Sequence, residues 1–342
     1  MKDPGIIYLN KMKVNIIGCG LSGVTAAILF KEKGHDVEIF ETRDHIAGNC
    51  YDEKQEGVTV HKYGSHIFHT NSEEVWDFVN RYTKFNDYEH RVRANTAEGR
   101  LSIPFSKKTE EQLGRDLSPE EIQKLLFVDY SERHWGIPWQ ELPRSISRRV
   151  PNKRDNYDDR YFTDKYQGIP EKGYTEMFKS MLDGIKVNLN VGKEDYKKLK
   201  GDMLVWTGTI SQYYNNCYGH LPYRSLRFEH TKTKRDSKEF SYELGAVINE
   251  CNKQPFNRTM DSAVYLNEKP EYTILTRDYP EEYEKGKNDP IYPKPFHGGN
   301  EIYNKYQKLA RQEKNVIFLG RLATYKYLDM WMAINQVMAK IK

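Results

Sequence analysis

Gly18, Gly20 and Gly23, followed eighteen residues later by Glu41, are the residues whose types and spacing point most directly to chemistry. Glycines in a tight turn bring backbone N–H groups against a pyrophosphate. A carboxylate beyond the next strand accepts hydrogen bonds from both hydroxyls of a ribose. Together they form the pattern of a dinucleotide site. Gly18 allows the turn, Gly20 removes a side chain that would block the pyrophosphate, and Gly23 lets the following helix pack closely. The next turn, Thr42-Arg43-Asp44-His45-Ile46-Ala47-Gly48-Asn49, is again basic and glycine-containing. It favours FAD over NAD, with an ordinary loop as the alternative. His66 and His69 stand at i, i+3 without a neighbouring carboxylate or cysteine in the sequence, so no metal is expected there. Arg148, Arg149, Lys153 and Arg154 form a basic run whose plain reading is a solvated loop.

These residues need elements to hold them. Val14 to Ile17 is an apolar run suited to a buried parallel strand. A helix is expected from Ser22 to Lys33 with Gly34 as its stop, then a strand Val37-Glu38-Ile39-Phe40. The N-terminal N–H groups and dipole of that helix would attract phosphate. Asn71 or Ser72 can cap a helix containing Val75, Trp76 and Val79. Residues 85–105 read as extended, and Lys108 to Trp135 as helical. Ser118-Pro119-Glu120-Glu121 is a capped start, and Gly136 and Pro138 mark the stop. Arg144 to Tyr161 reads as loop, Gly173 to Leu182 as a short helix, and residues 223–276 as an antiparallel sheet. Asn315 to Arg321 reads as a buried strand ending in glycine, and Asp329 to Lys340 as the closing helix. A nucleotide fold thus opens at one end of the chain and closes at the other.

At 342 residues the chain suits two or three domains. Its formal charge of +4 arises from 53 basic and 49 acidic residues mixed along the chain, which argues against a nucleic-acid stripe. The four cysteines have no metal or disulfide spacing and read as reduced thiols of a cytoplasmic protein, with Cys19 a space-filler. No segment reads as a membrane span or signal peptide. Tyrosine, at 25 residues, suits a nucleotide-sugar cleft.

Longer segments resemble the UDP-galactopyranose mutase family: His61 to Asn71 (HKYGSHIFHTN), Tyr161 to Pro170 (YFTDKYQGIP), Tyr223 to Leu226 (YRSL), and Arg321 to Met330 (RLATYKYLDM). The resemblance implies an α/β protein with a Rossmann-like FAD-binding domain (12–84, 185–222, 310–342). It adds a shortened helical insert (106–148) and an antiparallel β-sheet domain (85–105, 149–184, 223–309). It implies an isomerase that interconverts UDP-galactopyranose and UDP-galactofuranose through an adduct between the sugar and N5 of reduced FAD. An electron donor such as NAD(P)H or a reductase would keep it active.

By position, Gly18, Gly20, Ser22, Gly23, Glu41, Arg43, Asn49, His66, Ile67, Arg321, Leu328, Asp329 and Met330 match cofactor-binding residues. Arg149, Arg258, His66 and His69 match the catalytic set, the arginines holding diphosphate. His90, Leu126, Phe127, Tyr130, Trp135, Tyr161, Asn249, Tyr292 and Tyr327 match substrate-lining residues, with Tyr130 and Trp135 at the uridine. Guanidiniums suit a departing diphosphate better than ammonium groups. The same resemblance admits a mutase acting on UDP-N-acetylgalactosamine or a TDP-deoxysugar, while the cofactor fingerprint alone also admits a flavin oxidase. Ala47 stands where the family has glycine. The stretch from Phe105 to Tyr130 is shorter than in bacterial relatives, whose dimer contact lies there, so the oligomeric state stays open.

Overall fold

The computed structural model describes residues 10–147, 154–192 and 195–341. The chain forms two compact units. The first comprises Met1–Gly48, Phe178–Leu221 and Gly298–Lys342, and the second Asn49–Met177 and Pro222–His297. The first unit is discontinuous, as expected for a nucleotide fold closed by the C-terminus. The division differs from the expected one: residues 49–84 and the helical segment 106–148 group with the second unit, and residues 178–184 and 298–309 with the first.

The first unit is built on a five-stranded sheet in the order Val316–Phe318, Met203–Trp206, Lys13–Ile17, Asp36–Phe40, Lys186–Asn188, with every pair parallel. Val14 and Ile16 are fully buried, as a central parallel strand requires. The helix Leu21–Glu32 follows the glycine turn and is buried on nearly all sides through Phe30, so its apolar residues form no single stripe. It stops at Gly34 in the left-handed region. The closing helix is Met330–Ile341, with Ile334, Val337 and Met338 buried. Ile17, Phe40, Tyr196, Trp206 and Ala323 form a core cluster at the C-terminal ends of the strands, beneath the glycine turn.

The second unit carries a seven-stranded sheet in the order Tyr292–Pro293, Tyr223–Lys234, Tyr272–Glu282, Arg258–Asp261, Val247–Glu250, Val92–Thr96, Gly99–Ile103. Its pairs are antiparallel except one: Val247–Glu250 lies parallel to Val92–Thr96. The strands within 223–276 pair antiparallel as expected, and the one parallel pair arises where the early strand Val92–Thr96 inserts beside a late one.

The helical segment comprises Lys107–Leu113, Pro119–Gln123 and Asp129–Trp135, the last two joined by a π-helical turn at Lys124–Val128. Ser118 and Glu121 form a reciprocal capping box with Pro119 in the first turn, and Gly136 ends the helix in the left-handed region. Ser72, rather than Asn71, caps Glu73–Asn80. Arg144–Ser147 is a helical turn where loop was expected. Arg154 is no solvated charge: its guanidinium donates to the carbonyls of Asp158 and Arg160. Arg148, Arg149 and Lys153 lie outside the described residues.

Two of the sequence segments singled out above pair directly. Phe68–Thr70 and Tyr166–Gly168 form a small antiparallel ladder with His69 opposite Gln167. Asn71 Nδ2 donates to Asp164, and Lys165 N–H donates to Asn71. No helix among the described residues is long and apolar enough to cross a membrane.

Candidate functional site

Each unit carries its own group of candidate residues. In the first, Gly18 has φ of +100° and donates its N–H to Phe40 O at 2.8 Å, turning the chain sharply off the first strand. A Cβ on Gly23 would collide with the Gly18 carbonyl oxygen, so the close packing expected there is real. A Cβ at Gly20 would meet only Gly48 Cα, at 3.9 Å, and the helix start has no side-chain cap. The first-turn N–H groups therefore point toward open space, the arrangement an anion needs.

Glu41 sits at the end of the second strand with its carboxylate already oriented. Oε2 accepts from Cys19 N–H at 2.7 Å and Oε1 from Arg43 N–H at 2.9 Å. Its remaining lone pairs can serve a ribose. The buried Cys19 thiol is pushed up to about 12 by burial, which suits an inert filler. These residues fit a dinucleotide.

Gly48 faces Gly20 across the two turns. Its φ is +56°, and a Cβ there would stand 2.9 Å from Gly20 Cα. Ala47 beside it takes a left-handed φ of +71° with its methyl buried, so this position accommodates alanine. We expect Gly48→Ala to lower the flavin-to-protein absorbance ratio of the purified protein severalfold, because the added methyl presses on backbone rather than a movable side chain. Full flavin loading in that variant would reject the close-packed double turn as a requirement.

At the C-terminal end of the same unit, Arg321 donates Nη2–H to Leu328 O at 2.7 Å and lies over the Tyr327 ring at 5.1 Å. Asp329 supplies the first carbonyl of the closing helix, accepting from Ala333, and Met330 begins it. Gln336 on this helix accepts from Gly320 N–H at 2.7 Å, and a Cβ on Gly320 would stand 3.0 Å from Ser22 Oγ. Sequence reasoning missed Gln336, which has no local signature.

In the second unit the centre is Arg258. It lies opposite Asp278 on the neighbouring strand and opposite Asn249 on the other side. Its Nε donates to Asp278 Oδ2 at 2.6 Å, and Nη2 reaches the same oxygen. Burial opposes the guanidinium's charge, but Asp278, Tyr130 and Tyr292 outweigh it and hold the group well above its ordinary range. Tyr130 is raised in turn by burial, against the pull of Arg258, so it stays a neutral phenol.

Trp135 packs edge-on to Tyr292 and Phe296, at 6.2 and 5.8 Å. Leu126 and Phe127 ride on the π-helical turn, and Leu126 O accepts from the Cys251 thiol. Tyr161 donates its N–H to His90 O at 2.7 Å. Arg224 anchors the end of the helix that bears Tyr130 and Trp135. It donates to the carbonyls of His134 and Arg133 and to Glu282.

The histidines are individually fixed. His69 Nδ1 lies 2.9 Å from Asp164 Oδ2, and its ring stacks on Phe162 at 3.7 Å. Asp164 is the carboxylate that the local sequence lacks. His66 Nδ1 donates to Gly64 O, and its N–H donates to Nδ1 of His61. Ile67 is buried between them. His61 stacks on Tyr265 at 4.6 Å, and burial drives its pKa from 6.5 down to about 3.

Between those values the unfolded chain binds a proton that the folded chain does not. His61 therefore contributes stability that is complete above about pH 6.5 and declines as the pH falls toward 3. The loss of melting temperature between pH 7 and 5 should be smaller in His61→Gln than in the parent. Equal losses would reject this account.

Arg149 lies outside the described residues, and Asn49 opens the second unit. Asp278, Arg224, Asp164 and Phe162 are the site residues that pattern-reading did not supply. Arg224, Phe162 and Asp164 lay in segments already marked by resemblance, and Asp278 did not.

Comparison with known proteins agrees with this arrangement. The family described as UDP-galactopyranose mutase matches residues 125–327, and the NAD(P)-binding Rossmann-like domain matches residues 16–82. The chain is 35% identical to a dTDP-fucopyranose mutase of Escherichia coli over 95% of its length and 96% of that protein. It is 34% identical to a probable UDP-galactopyranose mutase of Klebsiella pneumoniae over 96% of its length and 94% of that protein. A crystal structure of a reduced UDP-galactopyranose mutase superposes with a TM-score of 0.76 at 15% identity, covering 97% of this chain and 93% of that one. The fold is thus that of a flavoenzyme.

Proposed function

Because the chain belongs to the UDP-galactopyranose mutase family, we propose that it interconverts UDP-galactopyranose and UDP-galactofuranose, with FAD as its cofactor in the reduced state. The observation that carries this reading is the Arg258 guanidinium, held on buried Asp278 among Tyr130, Tyr292 and His90. A permanently charged planar donor in a partly desolvated pocket stabilises a diphosphate as its bond to the sugar breaks.

In the first unit, Gly18, Gly20, Ser22 and Gly23 cradle the cofactor's pyrophosphate. Glu41 holds its ribose, Arg43 lies beside it, and Arg321, Leu328, Asp329 and Met330 support the flavin end. In the second, Asn49, His66, Ile67 and His69 are the residues we assign to cofactor contact. Tyr130, Trp135, Leu126 and Phe127 take the uridine. Arg258 and Arg149, with Tyr161 and Tyr292, take the diphosphate, and His90 and Asn249 face the sugar. Bound and reduced, the flavin supplies an electron-rich ring nitrogen able to attack the anomeric carbon. The chain itself needs no nucleophile. Its work is to grip the departing UDP, keep it for the return step and exclude water. The isomerisation is redox-neutral overall, so NAD(P)H or a reductase serves only to keep the flavin reduced.

The decisive experiment is anaerobic incubation of flavin-loaded, dithionite-reduced protein with UDP-galactofuranose. UDP-galactopyranose should form, and the oxidised protein should form none. Conversion of dTDP-fucofuranose alone would overturn the substrate, and an oxidised sugar formed without reductant would overturn the reaction class.

A further inference from the structure

His90 is buried and feels the charge of Arg258. Phe162 and Tyr161 pack against it. Behind it lies Tyr88, which is fully buried. The Tyr88 hydroxyl oxygen accepts from Ala246 N–H at 3.2 Å and lies 3.3 Å from His90 Nδ1.

A backbone N–H can only donate, so the oxygen's role toward Ala246 is fixed. The hydroxyl proton then needs an acceptor. Among the described residues, His90 Nδ1 is the one within reach. Leaving a buried phenolic proton unpaired costs far more than the small difference between imidazole tautomers. The proton therefore points at Nδ1, Nδ1 is the bare nitrogen, and the ring's own proton sits on Nε2. His90 N–H is engaged separately by Gln167 Oε1, which fixes the backbone from which the ring projects.

We propose that Tyr88 is a positioning residue that sets the tautomer of His90. Nε2–H is thereby committed as a donor to an oxygen of the bound nucleotide sugar. The donor role rests on the site taking a nucleotide sugar; the tautomer does not. Burial keeps His90 neutral, pushing it down to about 3, so the ring neither gains a second proton nor adds charge beside Arg258. Its neighbour His69 is arranged the opposite way. Asp164 takes its Nδ1–H.

The test uses flavin-loaded protein labelled with 15N-histidine, with the His90 signals identified by their loss in His90→Asn. Without substrate, wild-type His90 should show a protonated Nε2 and a bare Nδ1, and Tyr88→Phe should move the signal toward the other tautomer. A wild-type Nδ1–H form, or a tautomer unmoved by Tyr88→Phe, overturns the proposal. If Tyr88→Phe does not fold, the wild-type spectrum decides alone. With UDP-galactofuranose, Tyr88→Phe should raise KM about fivefold with little change in kcat. In a His90→Asn background, where the amide supplies a donor without a tautomer, the same substitution should add nothing. An equal KM increase in both backgrounds overturns action through His90. A protein that shows the tautomer shift yet converts no nucleotide sugar sinks the reading of the site and leaves the Tyr88–His90 relay standing.

Discussion

Arg258→Ala should lower kcat/KM for the nucleotide sugar by about a thousandfold and leave the absorption spectrum of the bound flavin unchanged. The size follows from where the guanidinium sits. It is the charge held between two tyrosines on a strand whose partner presents a wholly buried carboxylate, Asp278. Asp278 Oδ1 has no hydrogen-bond partner among the described residues, so the carboxylate depends on Arg258 through its other oxygen. Alanine thus removes a ligand group and strands a buried charge, a loss of about 3–5 kcal/mol in stability. The two effects separate in Arg258→Ala/Asp278→Asn. That protein should regain much of the melting temperature and none of the turnover. Near-parental turnover in either variant would remove Arg258 from the diphosphate.

Arg224→Met should raise the dissociation constant for UDP about thirtyfold while flavin content stays normal. Arg224 caps the helix Asp129–Trp135 by donating to its last carbonyls, at 2.8 Å to His134 and 3.1 Å to Arg133, and ties them to Glu282 at 2.6 Å. Terminal carbonyls have no partner within their own helix. Gly136 completes the fit, since a Cβ there would stand 2.8 Å from Arg224 Nη1. Methionine fills the volume but leaves those carbonyls unsatisfied, so the turn bearing Trp135 loses its anchor. Arg224→Lys should rescue little, because one ammonium group cannot span three divergent acceptors. Titration calorimetry with UDP reads the effect. Unchanged affinity would assign Arg224 to stability alone.

The two variants also show what the sequence could carry. The glycine turn and Glu41 were legible because one strand–helix–strand unit fixes their spacing locally. Ser118 and Gly136 were legible for the same reason: caps are read within a few residues. Asp278 was not, because its pairing with Arg258 depends on strand register, and nothing local marks one acid among 49. Arg224's task is to satisfy carbonyls of another element, which leaves no pattern at all. Asp164 reaches His69 from 95 residues away, so the sequence neighbourhood of His69 read as lacking a carboxylate. The parallel pair of Val247–Glu250 with Val92–Thr96 was hidden likewise, since strand character does not name its neighbour. Family resemblance supplied Arg258, Tyr130 and Trp135, which local physics alone would have left among many arginines and aromatics.

The short ladder joining Phe68–Thr70 to Tyr166–Gly168 acts as a clasp at the neck of a long excursion of the chain. Whatever is added to or removed from the excursion's outer turns, such as the one between Gly114 and Ser118, returns through the same neck. The entropy of closing such a loop grows only with the logarithm of its length, about 0.6 kcal/mol for a doubling. Insertions and deletions there are therefore nearly free, while the histidines at the neck keep their places. Lineages of this fold can lengthen or trim that excursion, and with it the surface it offers to other molecules, without retuning the chemistry at its base.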